Sequence, residues 1–253
     1  MRLNDRVRAF WEPEPCGTAR HITDGFEPYS REWFEGIEEH RYRVEPMIPA
    51  VARFESHRGK SVLEVGVGAG TDHLQWARAG CKCFGVDLTD AAIETTRRRL
   101  GLYGFASTLR KLDAERLPFD DAMFDVVYSW GVIHHSEDPN AIIAEVRRVL
   151  KPGGRFIGMV YGRHSLVAFK HWVRHGLLRG RPLRTWADVI WHHMESPGTK
   201  AYTVSEVDQM LSAFNARSVR PFATSYDVAR LPDWFARFLP NRWGWFIAFE
   251  VTR

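Results

Sequence analysis

The stretch Val62-Leu63-Glu64-Val65-Gly66-Val67-Gly68-Ala69-Gly70-Thr71-Asp72 constrains this chain more than any other. It opens as an apolar, β-branched run of the kind that fills a buried strand, then breaks into three glycines at alternate positions. Helical spacing follows, with Leu74 and Ala77 on one face and Arg78 on another, closing at Gly80. A strand that turns through glycines into a helix sets backbone N–H groups and a helix N-terminus against a ligand at the sheet's carboxyl edge. Two details narrow that ligand. In the dinucleotide spacing G-x-G-x-x-G the third glycine would fall at position 71, which is Thr71 here, and the third glycine comes one residue early at Gly70. Glu64 interrupts an apolar strand, where an unpaired carboxylate is costly, so a cationic or N–H-rich partner is expected beside it. Both features point away from a diphosphate and toward a ligand with positive charge near the turn.

Strand and helix then alternate. Residues 81–88 read as a second buried strand ending near Asp87, an acid placed to accept both hydroxyls of a ribose. Asp90 is the expected N-cap of the helix after it. Residues 109–112, 124–130 and 155–161 read as three further strands, with a helix over 142–150 stopped by Lys151-Pro152-Gly153-Gly154. This rhythm predicts a doubly wound, Rossmann-like α/β sheet, mostly parallel. Before it, residues 1–55 form an expected helical extension or lid. After it, residues 162–202 break the rhythm and read as an inserted cap, with one helical face of Leu166, Phe169, Val173 and Leu177. Residues 203–253 complete the sheet: Thr203 and Glu206 have capping-box spacing for a helix through Phe214, and strands over 218–226 and 243–251 flank an aromatic connection across 232–240. Two consecutive strands without a helical crossover predict an antiparallel edge, so the core would be residues 56–161.

Taken together, VLEVGVGAGTD, GVDLTDAAI, LDAERLPFDDAMFDVVYSWGVIHH and EVRRVLKPGGRF resemble the successive motifs of class I S-adenosylmethionine-dependent methyltransferases, particularly the branch acting on small molecules. The resemblance implies S-adenosylmethionine as cofactor and S-adenosylhomocysteine as product. It implies that Glu64, Gly66, Gly68 and Gly70 surround the methionine part and that Asp87 holds the ribose. Asp113 would accept from the adenine amine with Ala114 beside the ring, and Ser129 and Trp130 would border the sulfonium and methyl. Asp72, Leu88 and Glu115 complete the expected cofactor set. The pieces FWEPEPCGT, EEHRYRVEP and MVYGRHS also look like parts of bacterial methyltransferases and fix no acceptor.

Methyl transfer from a sulfonium needs alignment and exclusion of water, and a hydroxyl acceptor additionally needs its proton removed. His134 and His135, just past the fourth strand, are the expected general base, with Tyr161 orienting it; some O-methyltransferases of this branch carry an acid just after the fifth strand, and none stands there. Arg41, Tyr42, His164, His192, His193 and Glu195 are the expected acceptor contacts; the cluster His192-His193-Met194-Glu195 could supply what is missing, but reads more readily as the end of a cap helix. No metal is expected, because adjacent histidines cannot easily converge on one ion. Cys81 and Cys83 read as core residues rather than arsenic ligands, and three cysteines make no disulfide framework.

The expected reaction is O-methylation of a small hydroxylated acceptor such as a sugar or glycan. The alternatives are a C-methyltransferase of a quinone-like or lipid-linked acceptor and a non-catalytic cofactor-binding partner. A net charge of +4 is too mild to argue nucleic acid. No apolar run reaches membrane-spanning length and the N-terminus is too charged for a secretory signal, so a cytoplasmic protein is expected. Yet no acid falls between Glu145 and Asp188, while Lys151, Arg155, Arg163, Lys170, Arg174, Arg179, Arg181 and Arg184 are basic. This Trp-bearing cap has three readings: a lid on an acidic or glycosidic acceptor, an interfacial element on an anionic membrane, or a solvated surface with an aromatic homodimer contact.

Overall fold

The computed structural model describes residues 1–229 and 238–253. The connection expected across 232–240 thus lies largely outside the described residues. A seven-stranded sheet forms the centre: β1 (Ser61–Val65), β2 (Lys82–Asp87), β3 (Thr108–Lys111), β4 (Phe124–Trp130), β5 (Leu150–Tyr161), β6 (Asn215–Phe222) and β7 (Phe246–Thr252), in the order β3-β2-β1-β4-β5-β7-β6. β1 to β5 pair in parallel, and β7 runs antiparallel to both β5 and β6. The mostly parallel α/β class is as expected. The expected antiparallel edge is also present: β6 and β7 pair antiparallel there, with β7 lying between β5 and β6.

Helices α1 (Leu3–Trp11), α2 (Arg20–Thr23), α3 (Arg31–Val44) and α4 (Ile48–Ala52) precede the sheet. Crossovers are made by α5 (Thr71–Arg78), α6 (Asp90–Leu102) and α7 (Pro139–Val149); α8 (Leu166–His175) and α9 (Trp186–His193) form the insertion; α10 (Val204–Met210) and α11 (Ser225–Val228) flank β6. Side chains alternate between sheet faces. Val62, Val126 and Ile157 therefore join one core with Leu74 and Trp76, while Leu63, Val127 and Phe156 join another with Ile143, Val146 and Phe249. Burial on both faces is why β1 and β4 read as continuous apolar runs.

Local signals set several boundaries. The Thr203–Glu206 capping box forms, though its helix ends at Met210 rather than Phe214. Thr89, not Asp90, caps α6 by accepting from the Ala92 N–H. A second capping box, Thr224 with Asp227, turns 225–228 into a helix and ends β6 at Phe222, ahead of the expected 226. Cys81 lies just before β2 and Cys83 within it, both as free thiols.

Candidate active site

The glycine turn opens onto a cavity of about 420 Å³ at the carboxyl end of the sheet, a size in the ordinary range for small-molecule sites. Gly66 has φ +82° and Gly70 has φ +72°; a Cβ on Gly66 would sit 2.2 Å from Val132 Cγ2, and one on Gly70 would sit 2.8 Å from Thr96 Oγ1. Left-handed backbone and close packing by neighbours thus both demand glycine. Gly66 and Gly68 line the cavity, whereas Gly70 is turned onto α6.

Glu64 does find a partner, and it is internal. His73 Nδ1 lies 3.0 Å from its carboxyl, and His73 Nε2 lies 2.8 Å from Ser107 Oγ, which in turn donates to the Cys83 carbonyl. Burial pushes Glu64 well above the usual carboxylate range and drops His73 to about 4. Both are therefore neutral: the acid donates to Nδ1, and Nε2–H donates to the serine.

Asp72 carries the charge that Glu64 does not. Arg41 grips both its oxygens at 3.2 and 2.7 Å, while Tyr42 and Tyr128 donate at 2.9 and 2.8 Å. Burial alone would raise this carboxyl, but the guanidinium and its hydrogen bonds hold it below the ordinary range. Arg41 and Tyr42 were expected at the acceptor; Tyr42 is spent on Asp72 and lies outside the cavity wall, while Arg41 clamps α3 onto α5 and still borders the cavity.

At the β2 end, Asp87 accepts from the Gly68 N–H at 3.1 Å and from the Thr89 N–H and hydroxyl at 3.0 and 2.9 Å, and burial raises its carboxyl. Asp113, with Leu88 and Ala114 beside it on the wall, accepts from Asn4 Nδ2 at 2.8 Å. Asn4 also donates to Glu115 at 2.7 Å and accepts from the Glu137 N–H at 2.7 Å, so α1 is strapped across this end. Glu115 serves that strap and is not on the wall.

The other end of the cavity is aromatic and acidic, walled by Trp11, Trp130, Met159, Tyr161, Tyr226, Trp245 and Phe246 with Glu45 and Glu195. Tyr161 stacks on Trp245 at 4.3 Å between ring centres. Glu45 accepts from Trp130 Nε1 at 2.7 Å. Glu195, two residues past α9, accepts from Tyr161 OH at 2.9 Å and lies 3.7 Å from His135 Nε2. On the far side of that ring, Ser196 Oγ is 2.8 Å from Nδ1, and the Thr199 hydroxyl is occupied with the Ser196 carbonyl. Thr199 Oγ1 also lies 3.1 Å from Nδ1, so two hydroxyls hold that nitrogen while Nε2 faces Glu195. Burial lowers His135 to about 3, and desolvation within the cavity raises Glu195, whose side chain nonetheless keeps 41% of its surface accessible.

The remaining expected site residues lie off the wall. His134 is fully buried beneath Tyr161, 3.8 Å between rings, and among the described residues neither of its nitrogens has a hydrogen-bond partner. Ser129 is likewise sealed and donates to the Val65 carbonyl. His164 packs edge-on to Trp186, His192 Nδ1 lies 2.8 Å from the Asp188 carbonyl, and His193 stacks on His175. Among the described residues, no three His, Cys, Asp or Glu side chains converge as a metal site would require.

Sequence reasoning missed Asn4, Trp11, Glu45, Tyr226, Trp245 and Phe246 as wall residues. Trp11 and Glu45 belong to FWEPEPCGT and EEHRYRVEP, the N-terminal pieces already singled out; the others left no local signal.

Residues 63–158 match the family described as a methyltransferase domain. The chain is 34% identical to a demethylmenaquinone methyltransferase of Symbiobacterium thermophilum over 148 residues, 52% of this chain and 58% of the relative. It is 41% identical to a phthiotriol/phenolphthiotriol dimycocerosates methyltransferase of Mycobacterium tuberculosis over 100 residues, 39% of this chain and 36% of the relative. The match thus spans little more than half of these relatives at most. In structure it is similar to the geranyl diphosphate C-methyltransferase of Streptomyces coelicolor, solved with Mg²⁺, geranyl diphosphate and S-adenosylhomocysteine, with a TM-score of 0.64 and 16% identity over 100% of this chain and 97% of the other. A second likeness, at TM-score 0.61 and 18% identity, is to an S-adenosylmethionine-dependent methyltransferase of Mesorhizobium loti, covering 82% of this chain and 97% of the other.

Residues 63–158 thus match a methyltransferase domain, and the chain around them shares the fold of solved S-adenosylmethionine-dependent methyltransferases.

Proposed function

We propose that this chain methylates a small acceptor seated in the aromatic, acidic end of the cavity, with a hydroxyl as the group modified and Glu195 as the base. The observation that carries this reading is the position of Glu195, returned by the cap to Tyr161 and His135. The cofactor half suits such a ligand: Asp87 and Asp113 present carboxylates at the ends of β2 and β3, suited to a diol and an amine, over a turn where Gly66 and Gly68 bring bare backbone to the cavity. Asp87, Leu88, Asp113 and Ala114 would hold the nucleoside, and Gly66, Gly68 and Trp130 would border the amino acid and sulfonium. When bound, the cofactor supplies a methyl group already activated by positive sulfur.

The protein's own contribution is placement, exclusion of water and handling of one proton. The aromatic wall from Trp11 to Phe246 keeps the acceptor dry. Glu195 takes the acceptor's hydroxyl proton as the O–C bond forms and the S–C bond breaks. Its raised carboxyl is a stronger base than an ordinary one, and a base tuned toward neutrality is the more effective. His135, low in basicity and with Nε2 facing the carboxylate, orients Glu195 together with Tyr161. The role first expected of the histidine pair passes to the acid, and His134 is structural.

A sugar or other hydroxylated small molecule suits a wall of aromatic faces with two carboxylates. The alternative, a quinone-like or lipid-linked acceptor, is favoured by one observation, the likeness to relatives named as demethylmenaquinone and phthiotriol/phenolphthiotriol dimycocerosates methyltransferases. A panel of alcohol, amine and activated-carbon acceptors, scored by S-adenosylhomocysteine release, separates these. Turnover of alcohols that is abolished in Glu195→Gln supports the O-methyl reading; turnover confined to carbon acceptors overturns it.

A further inference from the structure

The insertion between β5 and α10 holds a feature that the methyl-transfer site does not use. The chain leaves α8 at Gly176 and folds back along it, so that α9 begins beside Phe169 and ends beside His175. Trp172 Nε1 donates to the Arg184 carbonyl at 2.9 Å, the Arg181 N–H to the Gly176 carbonyl at 2.9 Å, and the Arg184 N–H to the Arg181 carbonyl at 3.2 Å. These bonds close residues 176–184 into a tight turn. On it Leu177 is 47% exposed, Leu178 75% and Leu183 96%. An exposed leucine alone is ordinary, but three on one short, hydrogen-bonded turn form an apolar tip.

The charge around the tip has one sign. Arg174, Arg179 and Arg181 are exposed, and among the described residues none of the three has a carboxylate within ion-pair distance. Arg163 and Arg184, by contrast, are engaged by Glu206 and Asp188 at 2.7 and 2.5 Å. The nearest acid in sequence is Asp188, already taken. A protein partner or second copy would be expected to meet such a tip with acids, yet no excess of exposed acid is gathered on the cap itself to pair with a copy of it. Apolar side chains ringed by unpaired arginines instead match an anionic bilayer surface, where leucines enter the headgroup and acyl boundary and guanidiniums meet lipid phosphates.

We propose that residues 174–184 form a membrane-docking tip that seats this protein reversibly on an anionic lipid surface. Among the described residues no helix is long and apolar enough to cross a membrane, so the attachment is peripheral. Its place in the chain gives it a consequence. The segment that carries the tip starts just after Tyr161 and ends at Glu195, both on the cavity wall, so docking bears on the element that completes the acceptor end. The docking proposal does not depend on which acceptor group is methylated.

The test is co-sedimentation of the full-length protein with vesicles of phosphatidylglycerol and phosphatidylcholine, and with phosphatidylcholine alone, across a salt series. Binding is expected to the mixed vesicles only and to weaken with salt. Arg179→Glu with Arg181→Glu should weaken it by on the order of a hundredfold. Leu178→Asp with Leu183→Asp should remove the fraction that persists at high salt, with thermal stability unchanged because these side chains are in solvent. Three results would overturn the proposal: no binding to mixed vesicles, equal binding to neutral vesicles, or leucine variants that bind lipid normally but alter the oligomeric state in size-exclusion chromatography. Lysophospholipid below its micellar concentration and inorganic phosphate serve as competitors; release by phosphate alone would make this an anion site and also overturn it.

Discussion

The two ends of the cavity are built in different ways. The cofactor end is assembled from residues close in sequence to the strands that carry them: the glycine turn follows β1, Asp87 ends β2, and Asp113 lies two residues past β3. The acceptor end gathers Trp11 and Glu45 from the N-terminal helices, Tyr161 from β5, Glu195 from the insertion and Trp245 and Phe246 from the C-terminal strand region. A parallel sheet fixes the first end wherever its strands end, so one geometry serves many chemistries. The second end exists only when four separate segments meet, and it is there that the proposed function places acceptor choice and proton handling.

Substitutions that separate the ends should therefore separate binding from turnover. The largest effect is expected for Glu195→Gln, which removes the base and should lower kcat by about a hundred- to ten-thousandfold while S-adenosylhomocysteine still raises the Tm. Loss of both together would erase the distinction. Next comes Arg41→Ala, which strands the buried Asp72 carboxylate and should cost about 3–5 kcal/mol in chemical denaturation. Because Asp72 is held below its ordinary value, its stabilisation is fully present above the unfolded carboxylate pKa and is lost as pH falls through the folded one. The stability gap between parent and Arg41→Ala should accordingly be widest above the unfolded carboxylate pKa and narrow as pH falls through the folded one.

Gly66→Ala comes third, about 1–3 kcal/mol from the clash with Val132 and further cost from the positive φ. Gly68→Ala is milder, since its Cβ would lie 3.4 Å from the Cys16 carbonyl, the nearest neighbour. The smallest effect is on pH dependence. The base must be ionised, and burial raises Glu195, so kcat should climb with pH through a value above the usual carboxylate range. His135→Asn, which loses the ring nitrogen facing that carboxylate, should shift this limb upward and lower kcat by about tenfold with little change in KM.

What could be read from sequence follows the same division. The apolar runs of β1 and β4, the capping boxes and the glycine turn are written in neighbouring residues, so the sheet and the Asp87 end were legible. Glu64 announced that it needed a partner; His73 reaches it across the turn from α5, and Glu64 also borders the cavity. The insertion of β7 inside the sheet left no local trace. At the acceptor end, two adjacent histidines looked equivalent; burial under Tyr161 removes His134, and only tertiary packing makes that choice. For the acid absent after β5 the fold offers Glu195, 34 positions on from Tyr161, brought back by α9 and hydrogen-bonded to that tyrosine.

The most direct measurement sets Asp87→Asn beside Glu195→Gln, with S-adenosylhomocysteine affinity by calorimetry and methyl-transfer rate at saturating cofactor. Asp87→Asn should weaken the cofactor product by about tenfold or more, from the loss of a charged hydrogen-bonding group, and leave the saturated rate nearly intact. Glu195→Gln should do the reverse, with affinity unchanged and the rate lost. A Glu195→Gln protein that transfers methyl at the parent rate, or that loses cofactor affinity as Asp87→Asn does, would contradict the division of this cavity into a binding end and a proton-handling end.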